Sequence, residues 1–244
     1  MFFIKILIKC CIANAFISYR SSHFAMIGIL SVLIFSSCAV LPHVYQEKQP
    51  VKKLFKNDCS LVFAKGDWQF VHSIEAVMKG GYKSSLLGVC NISSSTNSIR
   101  CVMMTIEGFV LFDAEFHNDN LTIKRGIAPF DSRAFAMGLM NDIRLIFFKP
   151  TGKLLKTGTL ENGLPVCRYE TKTKIIDIVI LSPHSFEIAE YNKNYRLLKK
   201  VNIEGQRYKN MDDGFIMPDK IVLKANRQLG YSLYMDIVQA EKKR

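Results

Sequence analysis

Residues Cys101 to Phe116 read CVMMTIEGFVLFDAEF, two short runs rich in apolar residues on either side of the dipeptide Glu107-Gly108. Short runs with one apolar face predict strands that bury that face, and a glycine between them accepts the positive φ of a tight turn. The stretch therefore predicts an antiparallel hairpin of two strands, Ile99 to Ile106 and Phe109 to Phe116.

The same pattern continues on both sides of this hairpin, with turn residues such as Gly80-Gly81 and Asn118-Asp119-Asn120 between the runs. It predicts about eleven strands in all. Besides the hairpin these are Trp68 to Val77, Tyr82 to Ile92, Leu121 to Gly126, Val166 to Glu170, Lys174 to Leu181, Phe186 to Tyr191, Tyr195 to Ile203, Lys220 to Ala225 and Tyr231 to Val238.

One helix interrupts the strands. It is predicted to begin at Asp131 or Ser132, which can cap it, and to end near Phe148, before Pro150. Its apolar residues fall on one stripe, opposite the polar residues Arg133, Asn141, Asp142 and Arg144. The stripe either packs on the sheet or acts as a lid over an apolar cavity, which Met103 would also line; it consists of Phe135, Leu139, Met140, Ile143 and Phe147.

So many consecutive antiparallel strands must curl or close, because a flat sheet of that width leaves long unpaired edges. The predicted fold class is α+β and mainly antiparallel β. We expect an incomplete (half) β-barrel of about eleven strands with a helical lid, formed by one domain over residues 58–244.

The N-terminus carries an apolar stretch from Phe24 to Leu41, which follows a basic lead containing Arg20. This order is typical of a secretory signal peptide. The end of the stretch, LIFSSC, resembles the lipobox of bacterial lipoproteins, which implies cleavage after residue 37 and a lipid on Cys38. Two alternatives stay open: an uncleaved transmembrane helix, since about 18 apolar residues can cross a bilayer, and a true start at Met26.

Residues 38–57 are polar, contain proline and lack periodicity, so they are predicted to be a flexible tether. The formal net charge is +12, which favours an anionic surface such as acidic phospholipid. No RNA-binding or helix-turn-helix signature accompanies the basic residues, so we expect no nucleic-acid partner and a monomer.

Four cysteines follow Cys38, and they leave the disulfide pattern open. Cys90 and Cys101 are equidistant from the midpoint of the turn Ser93 to Ser98, so the hairpin places them opposite each other. No C-x-x-C, H-E-x-x-H or G-x-S-x-G motif occurs, and the five histidines show no metal spacing. We expect neither an enzyme nor a metal or other cofactor.

The order of elements resembles the LolA/LolB family of periplasmic carriers and outer-membrane receptors for lipoproteins. The resemblance lies in the hairpin quoted above, the helix after it, and the closing stretch MDDGFIMPDKIVLKANRQLGYSLYMDIVQ. It implies an incomplete barrel plugged by helices. It also implies an exposed apolar contact at the matching hairpin tip, where Glu107 stands at the leucine position and Ile106 or Phe109 would supply the contact to membrane or cargo.

These features favour a membrane-anchored envelope lipoprotein that binds an acyl chain, a lipoprotein or another amphiphile in the barrel, for transport or localisation. The alternative is an accessory lipoprotein that acts as a docking module with a filled interior. Ala39 follows Cys38 where an inner-membrane retention signal has aspartate, so we expect the periplasmic face of the outer membrane.

Replacing Cys38 by alanine should leave an unprocessed, unlipidated precursor, because no other cysteine near the cleavage region follows small residues. Intact mass of the envelope-extracted protein measures this. Normal maturation of Cys38→Ala would refute the lipoprotein hypothesis.

Overall fold

The computed structural model describes residues 41–46, 59–207, 215–226 and 230–243. Cys38 and the apolar stretch before it lie outside the described residues, as does most of the predicted tether. The account below concerns the described part of the chain.

Twelve strands form one antiparallel sheet. Their bounds are β1 Asp67–Met78, β2 Lys83–Ser93, β3 Ser98–Met104, β4 Val110–His117, β5 Asn120–Gly126, β6 Lys153–Thr159, β7 Pro165–Glu170, β8 Lys174–Ser182, β9 Ser185–Asn192, β10 Leu197–Arg207, β11 Ile216–Ala225 and β12 Tyr231–Lys242. The strand order is β5-β4-β3-β2-β1-β12-β11-β10-β9-β8-β7-β6, so the last strand pairs with the first.

The expected count of eleven strands was wrong by one, because the sequence analysis missed β6. Its sequence, KLLKTGT, has no apolar alternation, and none of its residues is buried. It is an edge strand, and so is β5 at the other end of the order. The sheet is therefore open rather than closed.

One face of the sheet, here called the inner face, carries the hydrophobic core. Along β1 every second residue from Trp68 to Ala76 is buried, and the neighbouring strands bury the residues in register with them. This is the period of two expected of strands that bury one face. Trp68, Phe70, Phe112 and Phe116 are almost completely buried there.

The helix, α1, runs from Arg133 to Phe147 and lies on this inner face. Met140 and Ala136 are fully buried in the same cluster as Phe70. The ring of Phe147 stacks on that of Phe70, with 4.6 Å between their centroids. The predicted bounds are confirmed, although the Ser132 side chain makes no capping hydrogen bond.

A second element also covers the inner face. The 3-10 turn Cys59–Val62 is joined to β7 by a disulfide between Cys59 and Cys167, whose Cα atoms are 6.0 Å apart. Val62 and Phe63 are buried in the main cluster beside it. The disulfide therefore ties the start of the domain to a strand far along the chain.

Cys90 and Cys101 lie directly opposite each other across β2 and β3, as predicted. Both are buried and both are free thiols. A hydrogen bond to Cys101, with burial, raises the pKa of the Cys90 thiol well above its ordinary value. The pair therefore serves as two small core side chains.

The segment Leu41–Tyr45 lies on the opposite, outer face of the sheet. Val44 is buried against Val166 and Val179, and Tyr45 forms a bridge with Thr159. The part of the predicted tether that the structure describes is thus in contact with the domain.

Because every neighbouring pair of strands is antiparallel, the turns gather at two ends of the sheet. One, here called the Phe109 end, has turns 79–82, 105–109, 171–173 and 193–196. The other, the Ser95 end, has turns 94–97, 118–119, 160–164 and 183–184.

Candidate functional site

The residues predicted to line a cavity or lid come together between α1 and the inner face. Met103, Met140, Ile143 and Phe147 are buried there, and Leu139 packs against them half-buried. Phe135 lies apart from them and is half-buried near the start of α1, where its ring contacts that of Phe130 at 5.2 Å between centroids. The stripe thus faces the sheet for most of its length.

Side chains fill the space beneath α1. Phe70, Phe112 and Met140, which meet there, have no exposed surface. In the described residues, three pockets of about 460, 380 and 400 Å³ lie toward the Ser95 end, and none of the three includes a residue of α1. The structure therefore presents the sheet and helix in a closed, packed arrangement.

A buried polar cluster holds α1 to the sheet, and the sequence analysis missed it. The Asp142 carboxylate of α1 accepts hydrogen bonds from the Lys199 ammonium of β10 and from the Tyr231 hydroxyl of β12, the second at 2.5 Å. Asp142 and Lys199 are both buried. We call these three residues the latch.

A second ion pair lies beside the latch on the inner face. Lys199 lies in register with Glu190 of β9, and Glu190 accepts a hydrogen bond from Lys174 of β8 at 2.8 Å. Two ammonium groups thus alternate with two carboxylates across three strands and the helix. Buried charges are stable only when paired in this way.

Burial raises the pKa of the Asp142 carboxyl, and the positive charge of Lys199 opposes that rise. Burial and the negative charge of Asp142 raise the pKa of the Tyr231 hydroxyl, which therefore keeps its proton and acts as the donor. The carboxylate of the latch depends on Lys199 because little water reaches it.

The sequence analysis had placed Asp142 on the polar side of the helix, beside Arg144. That placement was wrong, since Asp142 is buried, while Arg144 is half-buried. Arg144 pairs with Asp119 at 3.1 Å and lies 5.2 Å from the centroid of the Phe116 ring. The sequence did contain a signal for the latch. Lys199 alternates with Val201 and Ile203 along β10, so it lies on the same inner face as these two apolar residues.

A second buried polar group is His72, on the inner face of β1. Gly88 lies opposite it, and a Cβ there would come within 2.4 Å of the His72 ring. Burial lowers the pKa of His72 to about 4 from its usual 6.5. His72 is therefore neutral at physiological pH.

The predicted hairpin tip is on the surface. Ile106 and Phe109 are 68% and 69% exposed on either side of Gly108, whose φ is +91°. A hydrogen bond from Thr105 lowers the pKa of Glu107, which stays ionised between them. The tip thus presents two apolar side chains to solvent with one carboxylate.

In the described part of the chain, no group of three or more His, Cys, Asp or Glu residues is placed to hold a metal ion. Within the same residues, none of the helices combines the length and apolar character that a membrane crossing requires.

No protein-family model and no curated protein sequence matches the chain. Among solved structures, it is similar to a LolA superfamily protein from Nitrosomonas europaea, with 9% identity, a TM-score of 0.49, and coverage of 80% of this chain and 94% of that one. It is also similar to an outer membrane lipoprotein-sorting protein domain from Vibrio parahaemolyticus, with 12% identity, a TM-score of 0.44, and coverage of 72% and 85%.

With so few identical residues, the function of this chain has to be argued from its own side chains.

Lys199→Met should reduce the free energy of unfolding by about 3–5 kcal/mol, because it leaves the Asp142 carboxylate buried without its cation. Lys200→Met is the matched control: the neighbouring Lys200 pairs with Glu187 at 2.7 Å with its side chain 44% exposed, so about 0–1 kcal/mol is expected. Adding Asp142→Asn to Lys199→Met should recover part of the loss. Urea unfolding of the wild type, the two lysine variants and the double variant measures these free energies. Equal losses for Lys199→Met and Lys200→Met would contradict a stabilising role of the latch.

The low pKa of His72 predicts a loss of stability in acid. The unfolded chain binds this proton more tightly than the folded one, so stability is full above pH 6.5 and is lost as pH falls from 6.5 to about 4. At pH 4.5 the loss is about 2–3 kcal/mol. Unfolding of the wild type and His72→Leu at pH 7 and 4.5 should show a smaller acid loss in the variant, whereas His184→Leu, on an exposed turn, should behave as the wild type.

Proposed function

We propose that the protein is a lipid-anchored envelope lipoprotein that carries an acyl chain, a lipoprotein or another amphiphile between α1 and the inner face of the sheet, with α1 as its lid. It acts in lipid or lipoprotein localisation, as a monomer without nucleic acid. Its proposed site is the periplasmic face of the outer membrane, with the lipid on Cys38.

The observation that carries this proposal is the way α1 is held. Its contact with the sheet consists of apolar side chains plus polar contacts, of which the latch is the one with a buried ion pair among the described residues; the others, Arg133 to the Leu121 carbonyl and Arg144 to Asp119, lie near the surface. A helix that only completed a core would not require a buried carboxylate there. Apolar contacts can be re-formed with a ligand, whereas the latch has two defined arrangements, closed or broken.

The free energies involved allow a ligand to replace the contacts between α1 and the sheet. A chain of about fifteen methylenes gains roughly 12 kcal/mol on leaving water, at about 0.8 kcal/mol each. Opening the latch hydrates both of its charges, so it costs less than deleting one partner. Exposing the three buried side chains Met140, Ile143 and Phe147 would cost about 2 kcal/mol each. Most of the gain is kept if α1 shifts and covers the ligand rather than leaves the sheet.

The compartment is consistent with the disulfide. A Cys59–Cys167 bridge forms in an oxidising environment such as the bacterial periplasm. The bridge thus supports the export that the N-terminal stretch predicts.

A second candidate is a docking module whose interior stays filled. The fully buried Phe70, Phe112 and Met140 favour it, because these side chains already occupy the interface between α1 and the sheet. In that case the surface, and not the interior, would bind the partner.

Native mass spectrometry of the full chain, extracted in mild detergent, tests the carrier hypothesis through co-purifying lipid. Uptake of a dansyl-labelled fatty acid then tests the lid. We expect binding by the wild type and several-fold faster uptake by Asp142→Asn combined with Lys199→Gln, since this pair removes both charges of the latch.

Lys200→Met, which changes the adjacent outer-face lysine, should take up the probe at the wild-type rate. Absence of co-purifying lipid together with no probe uptake by either protein would reject the carrier in favour of the docking module. If the wild type, the double variant and Lys200→Met all take up the probe at the same rate, the latch does not control uptake, but the carrier hypothesis stands.

A further inference from the structure

The latch joins two parts of the molecule that are held in different ways. Its two donors belong to the sheet: the Lys199 ammonium is on β10 and the Tyr231 hydroxyl on β12, and each of these strands is hydrogen-bonded to a neighbour on both sides. The acceptor, the Asp142 carboxylate, belongs to α1, whose side chains hold it on the inner face. A movement of α1 would therefore take the acceptor away and leave both donors in place.

The two donors are arranged as a cradle for one oxyanion. Lys199 donates to Oδ1 of Asp142 and Tyr231 donates to Oδ2, so each carboxylate oxygen has its own donor. A hydrogen bond from a charged donor to an oxyanion is about twice as strong as one between neutral groups. A tyrosine hydroxyl keeps its proton at neutral pH, so both groups remain donors when Asp142 is absent.

The charges around this cradle balance only when one negative group occupies it. Among the described residues, the cluster contains the ammonium groups of Lys199 and Lys174 and the carboxylates of Asp142 and Glu190, so its charges cancel. Without Asp142, one positive charge is left over, and an uncompensated charge at a buried site is unfavourable. The cradle therefore favours a group with a single negative charge and disfavours a cation.

Glu190 is placed to keep the Lys199 ammonium at the inner face. The two residues are register partners on β9 and β10. Oε2 of Glu190 accepts a hydrogen bond from Lys174, whereas its Oε1 is buried and has no hydrogen-bond partner among the described residues. Since an ammonium has three N–H donors, Lys199 can serve Glu190 and an oxyanion together.

Apolar side chains lead away from the cradle along the same two strands. Both β10 and β12 pair with β11 in antiparallel fashion, so they run in the same direction. The inner-face residues that follow Lys199 and Tyr231 are Val201 and Ile203 on β10, and Leu233 and Met235 on β12. Each strand thus presents a polar group and then an apolar track, which is the order of headgroup and tail in an amphiphile.

The cluster extends from the buried interface to the solvent. Asp142 and Glu190 are buried, whereas Tyr231 is half-buried and the Lys174 side chain is 34% exposed. A headgroup could therefore keep part of its surface in water while its oxyanion contacts Lys199.

We propose that Lys199 and Tyr231 form the headgroup site for an amphiphile that carries a single carboxylate or phosphodiester, and that Asp142 fills this site while α1 is closed. The inference rests on the proposed function, because α1 must move for the ligand to enter. The ligand oxyanion takes over the two hydrogen bonds of Asp142, and the tail lies along the apolar side chains of β10 and β12. Both donors keep an acceptor, so the exchange leaves no buried donor unsatisfied.

Ligands with tails of the same length and different headgroups test this site. The full chain, held in amphipol, is loaded with the dansyl-labelled fatty acid, which is then displaced at neutral pH by dodecanoate, dodecyl methyl phosphate, dodecanol or dodecylammonium. We expect one or both anions to bind roughly tenfold more tightly than dodecanol, because a hydrogen bond to a charged group is gained. Dodecylammonium should bind most weakly. This comparison uses the wild type, so it does not depend on the folding of any variant.

Two variants that differ only at residue 199 assign the preference to Lys199. Asp142→Asn keeps both donors and removes the competing carboxylate, so it should bind dodecanoate several-fold more tightly than the wild type does. Asp142→Asn combined with Lys199→Gln should bind dodecanoate and dodecanol equally. These are affinities at equilibrium, whereas the role of the lid is tested by uptake rates.

Tyr231→Phe removes only the hydroxyl of the second donor and should reduce the preference for dodecanoate over dodecanol several-fold. Tyr234→Phe is the matched control, because Tyr234 lies on the outer face of the same strand and is 42% exposed. It should leave the preference unchanged.

The headgroup site is wrong if the wild type binds dodecanol as tightly as both anions, or if the double variant keeps the anion preference of Asp142→Asn. In either case the bound tail still supports the carrier. If the wild type binds neither the probe nor any of the four ligands, the carrier hypothesis fails, and the headgroup site fails with it.

Discussion

The structure depends on the burial of one long apolar face. Twelve strands in sequence produce a sheet with a continuous inner surface, and a sheet of that width cannot leave such a surface in water. Helix α1 and the disulfide-tied turn Cys59–Val62 both serve to cover it. The covering of the inner face therefore decides the stability of the domain, and in the proposed carrier the same contacts would also control the access of a ligand.

The sequence predicted the elements whose period is visible along the chain. The strands from Trp68 to Gly126 and the helix followed from their alternation, and the Cys90–Cys101 register followed from counting outward from a turn. Edge strand β6 was not predicted because a strand exposed on both faces has no alternation of apolar and polar residues. The curvature of the sheet, the lid and the site residues stay predictions for the experiments above.

The partners within the latch, and those of the segment Leu41–Tyr45, are far apart in sequence, so the sequence offered at most the inner-face position of Lys199 and not the residues that it meets. Asp142 meets Lys199 and Tyr231, and Pro42 meets Arg168, only after the sheet has formed. A charged residue on a helix is usually on its solvated side, so local pattern placed Asp142 there. Only the tertiary structure shows that a buried ion pair joins the helix to the sheet, and that residues 41–46 pack on its outer face.

The bridge between Tyr45 and Thr159 has a consequence for self-association. β6 is an edge of the sheet, and an uncovered edge offers its N–H and C=O groups to a strand of another molecule. Tyr45 occupies these groups of Thr159, and a Cβ at Gly158 would come within 2.0 Å of the Tyr45 carbonyl oxygen. Lys153 and Lys156 flank Leu154 and Leu155 on the rest of the strand and repel a second copy. The segment that carries Tyr45 thus also covers part of this edge and opposes fibre-like growth by strand addition.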